Sequence, residues 1–235
     1  PGHSRTGRYQ GTKRMEKLFG KIASARKTEL SAAYDGGAHS ATSGLVSGTR
    51  VAGRMAWRPV EAVAVGDEIL TFDDGLQKVV RIRRTPYWTG HGACPEALWP
   101  LFVPAGAIGN RVEIWLLPEQ LVIIENDAAD ELMGDAFAMI PAHTLEGYLG
   151  IERRAPCAEF ELVTLYFEDE QVVFSNCGAL FHCPAETDIV IDLFRPSERR
   201  SYKRPSLSIA RQIAECIAIE FGAELCSTSD KIAAA

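Results

Sequence analysis

The side chains best suited to nucleophilic or metal chemistry in this chain belong to six cysteines and five histidines. The cysteines are widely spread and form no CxxC pair, which argues against a dense disulfide framework. Zinc sites combine such thiols and imidazoles, and the set nearest to that arrangement is Cys157, Cys177, His182 and Cys183. Cys177, His182 and Cys183 could approach zinc-ligand spacing with Cys157 as a fourth ligand, but free thiols are the simpler interpretation. We therefore predict free thiols, no metal and no cofactor.

A second group of candidates could take part in acyl transfer. Ser43 and Ser47 are candidate nucleophiles, but an alcohol without a base is a poor one, and linker and turn roles explain them more simply. His143 could protonate a leaving group, although a loop histidine is the simpler interpretation. Glu119 and Glu170 could pair as carboxylates, although a solvated strand edge explains them as well. Residue types alone therefore do not define an active site.

Short β-strands separated by glycine and aspartate turns must position these side chains. Thr49–Val51 is strand-forming and closed by Gly53, and the alternating strand Glu68–Phe72 lies between turns at Gly66-Asp67 and Asp73–Gly75. Short strands at such close spacing are typical of all-β domains rather than of β-α-β units. We therefore predict a compact, mostly β domain.

The same pattern continues through the middle of the chain. Tyr87–Trp99 is predicted to be a loop, and Ala128–Met133 a short helix or turn. Glu159–Tyr166 and Gln171–Phe174 are predicted to pair as a hairpin. The other predicted strands are Val79–Arg84, Leu101–Val103, Val112–Ile124 with a break at Pro118, and Ala136–Ala142.

Two helices are predicted outside the β-rich region. The first, Lys13–Ala25, is basic and amphipathic, and could bind a membrane surface or a partner or pack on the domain's own β core. The second is C-terminal and capped by Ser206 or Ser208, with an apolar face that could pack on the domain or on a second chain. We expect that face to be buried at Ile213, Ile217 and Phe221. Its full set is Leu207, Ala210, Ile213, Ala214, Ile217, Ala218, Phe221 and Leu225.

Composition narrows the class of protein. The 235 residues are 46% hydrophobic and 24% charged, which is typical of a globular chain with a sizeable core. A net charge of -6 argues against nucleic-acid binding, and no apolar run is long enough to cross a membrane. No feature of the sequence assigns a compartment. We divide the chain into a basic N-terminal helix and linker at 1–43, a β domain at 44–184, and a basic connector with an amphipathic helix at 185–235.

Five segments with recognisable phrases follow one another in the β-rich region. They are Gly44–Thr49, Phe102–Asn110, Ile114–Ile124, Pro141–Leu145 and Glu170–Gly178. In this order they resemble the Hint domain, the fold shared by Hedgehog C-terminal regions and inteins, and in particular its bacterial type-2 branch. The first segment matches the family opening Cys-Phe-x-x-Gly-Thr, and the later ones match an Ala-Gly-Ala-Leu-Gly phrase, a strand with Ser-Pro-x-His, a Pro-Ala-x-x-Leu phrase and a final strand.

The resemblance implies a self-processing chemistry whose residues are altered here. In the family, a Cys or Ser at the first position attacks the preceding carbonyl, and a His protonates the departing amide nitrogen. The Thr-x-x-His segment supplies one histidine, and the last strands supply others. These positions fall on Gly44, Leu117, Gln120, Thr164 and Glu170, with His182-Cys183 where an intein would end in His-Asn-Cys.

These replacements predict a degenerate Hint-like domain that neither cleaves nor splices itself and that serves as a binding or scaffold module. One alternative is a residually active autoprocessing domain that uses Ser43 or Ser47. Another is a module that binds a peptide or protein partner in the former active-site cleft. Self-association through the C-terminal helix is a further option. The sequence thus leans against an enzyme and names no partner.

Overall fold

The computed structural model describes residues 29–31, 44–88, 94–186 and 202–221. Within these ranges the chain is mostly β, as predicted, with two α-helices and several 3₁₀ turns. The strands are β1 (Glu29–Ser31), β2 (Leu45–Val46), β3 (Arg50–Ala52), β4 (Trp57–Pro59), β5 (Glu68–Thr71), β6 (Gly75–Lys78), β7 (Arg81–Trp88), β8 (Leu101–Val103), β9 (Ile114–Leu116), β10 (Leu121–Glu125), β11 (Phe137–Pro141), β12 (Glu152–Arg153), β13 (Phe160–Tyr166), β14 (Gln171–Ser175) and β15 (Ala179–Cys183). The helices are α1 (Asp127–Met133) and α2 (Leu207–Glu220), and the 3₁₀ turns are Val60–Ala62, Glu96–Leu98, Ala142–Leu145 and Tyr148–Gly150.

The described strands form three sheets. The first has the order β1-β7-β13-β2, with β1 parallel to β7 and the other pairs antiparallel. The second has the order β11-β10-β15-β14-β3-β4, with the β5–β6 hairpin attached through β14. The third is β12-β8-β9. Strands that are neighbours in a sheet are often distant in sequence, so most of the fold depends on non-local pairing.

One apolar core joins the sheets to the C-terminal helix. It takes Val163 from the first sheet, Phe181 from the second and Leu101 from the third, all without measurable exposure. Helix α2 contributes its apolar face to the same core, and Ile213 is also fully buried. The hydroxyl of Ser206 caps this helix by accepting a hydrogen bond from the Ile209 amide at 3.4 Å. The predicted C-terminal helix is thus confirmed, and its face packs on the domain itself.

The expected burial of that face is wrong at its C-terminal end. Phe221 is 62% exposed, and its ring meets the Tyr148 ring edge-on, with the ring centroids 5.9 Å apart. The reason is that the helix ends at Glu220, so Phe221 lies beyond the last turn that reaches the core. Ile213 and Ile217 are buried, as expected.

The predicted hairpin between Glu159–Tyr166 and Gln171–Phe174 is also wrong. Both strands form, but β13 pairs with β7 and β2, whereas β14 pairs with β15. The chain changes sheets at Phe167, which is fully buried and donates its amide to Pro184 O at 3.3 Å. The observed hairpin is β14–β15, whose turn contains two non-glycine residues with positive φ, Asn176 at 43° and Cys177 at 64°.

Strand β7 is longer than predicted. It continues through Tyr87 and Trp88, which the sequence assigned to a loop, because Tyr87 packs in an apolar cluster and Trp88 pairs with Phe160. The predicted helix Lys13–Ala25 lies outside the described residues. None of the helices in the described ranges is long and apolar enough to span a membrane.

Candidate functional site

Strand β2 places Gly44 in a closed corner beside β13. Leu45 and Val46 pair with Val163 and Leu162, so Gly44 enters the sheet as its first buried residue. A Cβ built on Gly44 would lie 3.1 Å from Thr164 Oγ1 and 3.3 Å from Leu162 Cβ. The φ of Gly44 is 155°, a value that residues with side chains rarely adopt. The corner therefore has little room for a side chain at Gly44, the position that the sequence resemblance assigns to the nucleophile.

A tight turn before β10 brings Gln120 to the same corner. The Gln120 amide donates to Leu117 O at 3.0 Å, which closes the turn, and Gln120 O accepts from the Ala142 amide at 2.9 Å. Leu117 itself is buried in an apolar cluster with Val46 and Leu162. Leu117, which the sequence resemblance assigns to the family threonine, is thus part of the packing under β2.

The carboxamide of Gln120 is fully hydrogen-bonded. Its Oε1 accepts from the Gly44 amide at 3.0 Å, and its Nε2 donates to His182 O and to Leu121 O, each at 3.1 Å. Only the oxygen can accept and only the nitrogen can donate, so these partners fix the orientation of the amide group. With 1% of its surface exposed, Gln120 links the start of the domain to its last strand.

Glu170 and the His182 imidazole form a separate cluster with Arg204. The His182 Nε2 lies 3.5 Å from Glu170 Oε2 and 3.5 Å from Arg204 Nη2, while Arg204 Nη2 also lies 3.0 Å from Glu170 Oε1. Tyr202 adds a hydrogen bond from its amide to Glu170 Oε2 at 3.2 Å. The structure therefore brings Gly44, Gln120 and Thr164 together and places Glu170 elsewhere, with only the His182 carbonyl shared.

The electrostatics of His182 favour a neutral ring. Burial lowers the pKa of His182 to about 4, against the opposing effect of the Glu170 carboxylate. At neutral pH the imidazole carries no extra proton, and Arg204 can donate to its free nitrogen. The His182 side chain is thus a structural partner of the segment before α2 rather than a ready proton donor.

The cysteine candidates do not converge. Cys183 is buried in the main core, and that burial raises the pKa of its thiol to about 12. Cys157 is exposed, and Cys177 lies half-buried in the β14–β15 turn. Among the described residues, no three cysteine, histidine or acidic side chains are arranged to hold a metal ion. The candidate set Cys157, Cys177, His182 and Cys183 is therefore not assembled.

The remaining candidates lie near the site without entering it. Ser47 is half-buried and three residues after Gly44, in a turn where its amide donates to Glu161 O at 3.0 Å. The His143 Nδ1 contacts Pro118 O at 3.0 Å and Glu119 Oε1 at 3.3 Å. His143 thus supports the turn that carries Gln120. Ser43 lies outside the described residues.

One structural feature of the family phrases was not predicted from the sequence. A Cβ on Gly178 would lie 2.0 Å from Gly109 O, so the loop before β9 and the β14–β15 turn touch through their backbones. Asn176 fixes this contact by accepting from the Arg50 amide at 2.7 Å and donating to Glu113 O at 3.0 Å. The glycine in each phrase is the only sequence signal of this close approach.

The sequence profile of the Hint domain matches residues 43–183, which is more than half of the chain. The chain therefore belongs to the Hint domain family, and helix α2 lies outside the matched residues.

Two solved structures are similar to this chain at low sequence identity. A splice-inactive variant of the AceL NrdHF class 3 split intein is 14% identical, with 61% of this chain and 99% of that chain covered and a TM-score of 0.37. A bacterial intein-like domain from Clostridium thermocellum is 12% identical, with 60% and 98% covered and a TM-score of 0.42. No curated protein matches the sequence.

Proposed function

We propose that this chain is a Hint domain that has lost self-cleavage and splicing and acts as a binding or scaffold module. The observation that carries the proposal is the hydrogen bond from the Gly44 amide to Gln120 Oε1 at 3.0 Å. In this family the corresponding nitrogen is the leaving group of the first step, and it must receive a proton. In this chain the Gly44 nitrogen donates to the carboxamide oxygen of Gln120, which accepts a hydrogen bond and cannot supply a proton.

The first chemical step lacks both of its participants. An N-to-S or N-to-O acyl shift needs a thiol or hydroxyl on the residue after the scissile carbonyl, and Gly44 has no side chain. It also needs a general acid, and the neutral amide of Gln120 does not release a proton at neutral pH. Loss of a positioned acid alone typically reduces a rate by about 10²–10⁴-fold, and loss of the nucleophile removes the step.

The position of Ser47 disfavours a residually active domain that uses this serine as its nucleophile. Three residues of extended chain span about 10 Å, which separates the Ser47 hydroxyl from the bond before Gly44. His143, the nearby imidazole, is engaged by Pro118 O and Glu119. Self-association through the apolar face of α2 is disfavoured as well, because the middle of that face, from Ala210 to Ala218, is buried in the domain's own core. A protein or peptide partner bound near the former active site fits the structure better.

Intact-mass analysis of the freshly purified full chain tests the proposal. We expect one species of unchanged mass after days with dithiothreitol or hydroxylamine, which cleave thioesters and esters. The matched control is Gly44→Cys, which restores a thiol but leaves Gln120 in place, and it should also remain intact. Fragments that end at Ser43 in the unmodified protein would overturn the proposal in favour of an active autoprocessing domain.

A further inference from the structure

Three arginines on strand β7 differ in how their charges are satisfied. Arg81 forms an ion pair with Glu186 across the sheet edge. Arg84 Nη2 donates to Val63 O at 3.2 Å. Arg83 is half-buried, and its Nε is enclosed without a hydrogen-bond partner in the part of the chain that the structure describes. An acceptor is therefore missing at one arginine of the three.

The register of the first sheet places Arg83 on the side of the former active site. Arg83 pairs directly with Thr164 on β13, and direct partners in an antiparallel pair present their side chains on the same face. The Thr164 hydroxyl lies 3.1 Å from the point that a Cβ of Gly44 would occupy. Arg83 thus borders the corner that contains Gly44.

The guanidinium of Arg83 lies near the aromatic ring of Tyr166. Tyr166 is two residues from Thr164 and nearly buried, and the Arg83 Cζ lies 5.8 Å from the centre of its ring. The Cζ of Arg81 lies 3.9 Å above the same ring. Because Glu186 neutralises Arg81, the pair of arginines presents one unbalanced positive charge beside Thr164.

The enclosed Nε–H of Arg83 has no acceptor, which is unfavourable, and arginine cannot relieve this by losing its proton. The guanidinium fork matches the geometry of carboxylates and phosphates. One unbalanced charge suits the single charge of a carboxylate better than the nearly double charge of a phosphate. The chemistry that would satisfy Arg83 is therefore a carboxylate group.

We infer that Arg83, Thr164 and Tyr166 form a carboxylate-binding site at the edge of the former active site. This inference rests on the proposed function as a binding module and names the chemistry that the module recognises. The carboxylate can come from a small organic acid or from an acidic side chain of a peptide, and Arg83 supplies the charge-assisted hydrogen bonds in either case.

The test follows the arginine Nε–H signals of the ¹⁵N-labelled full chain by NMR. The probes are sodium acetate, the pentapeptide acetyl-Gly-Gly-Asp-Gly-Gly-amide and its Asn analogue. We expect a saturable shift of the Arg83 signal, which the Arg83→Lys variant identifies by its loss. In Arg83→Lys, binding followed through the Arg81 Nε–H signal should weaken at least about tenfold, because an ammonium lacks the planar fork. Arg58→Lys, a change in a half-buried arginine that pairs with Asp67, is the matched control and should leave binding unchanged.

The outcomes separate the sources of the ligand. Tighter binding of the Asp peptide than of acetate assigns the site to acidic peptides, and the reverse assigns it to small acids. Equal binding of the Asn analogue, no saturable shift, or tighter binding of inorganic phosphate than of acetate would each overturn the inference. The peptide comparison uses the unmodified protein, so it decides even if Arg83→Lys does not fold. The mass analysis is independent, because a chain that cleaves itself could still bind carboxylates.

Discussion

Replacing Gln120 by Met tests whether the Gln120 carboxamide stabilises the fold or is kept for catalysis. Methionine has nearly the same volume as glutamine, so the change removes the hydrogen bonds without opening a large cavity. The Gly44 amide and the His182 carbonyl would remain buried without these partners. Each such group costs about 1–3 kcal/mol, so we expect the free energy of unfolding to fall by about 2–6 kcal/mol. That is a large part of the 5–15 kcal/mol typical of a domain.

Urea unfolding followed by tryptophan fluorescence measures this change. Gln77→Met is the matched control, because Gln77 donates to Asp74 O at the surface, and its effect should stay within about 0.5 kcal/mol. Gln120→His should lie between the two, because a neutral imidazole offers one acceptor and one donor where the amide makes three hydrogen bonds. A loss below about 0.5 kcal/mol for Gln120→Met would refute the structural role that we assign to this residue.

Three further predictions concern the surrounding fold. Gly178→Ala should destabilise the domain much more than Gly66→Ala. The new Cβ at Gly178 would lie 2.0 Å from Gly109 O, whereas the Cβ at Gly66 would meet nothing within 4 Å and cost about 1–2 kcal/mol in backbone strain. Similar melting temperatures of the two variants would contradict this. Ile213→Ala should lower the free energy of unfolding in urea by about 2–5 kcal/mol, because Ile213 is fully buried. Phe221→Ala should lower it by less than about 1 kcal/mol, because Phe221 is mostly exposed. The opposite order would mean that α2 does not pack on the core as described. The pKa of His182 is lowered to about 4 in the folded chain, so the unfolded chain takes up a proton at this histidine first as the pH falls. The free energy of unfolding should therefore be unaffected by this group above about pH 6.5 and fall by about 3 kcal/mol between that pH and about pH 4. His182→Gln should flatten the dependence of stability on pH in that window, and an unchanged slope would assign it to other groups.

Local patterns predicted most elements of the fold but not how they pair. The alternation in Glu68–Thr71 and the helical spacing from Leu207 onward depend on nearest neighbours, and both elements form as predicted. The hairpin prediction for β13 and β14 failed because pairing depends on distant partners. Val163 lies between Leu45 and Arg84, and nothing in the sequence around Val163 specifies either neighbour.

The candidate site shows the same limit. The resemblance pointed to Gly44, Gln120 and Thr164, and the structure brings these three together. It could not show that Gln120 hydrogen-bonds to the backbone of both Gly44 and His182, because that depends on how three strands meet. Arg83 was not among the sequence candidates, because the alternating pattern of β7 predicts an ordinary surface arginine at this position.

The hydrogen bond from the Gly44 amide to Gln120 is the centre of this account, and amide hydrogen exchange measures it directly. In the ²H,¹⁵N-labelled full chain, the Gly44 amide should be protected in the native protein, and Gln120→Met should accelerate its exchange about tenfold more than that of Thr49. The Thr49 amide donates to Val46 O at 3.0 Å in the neighbouring turn and reports any general loss of stability. A Gly44 amide that is unprotected in the native protein, or that responds to Gln120→Met no more than Thr49 does, would contradict the account.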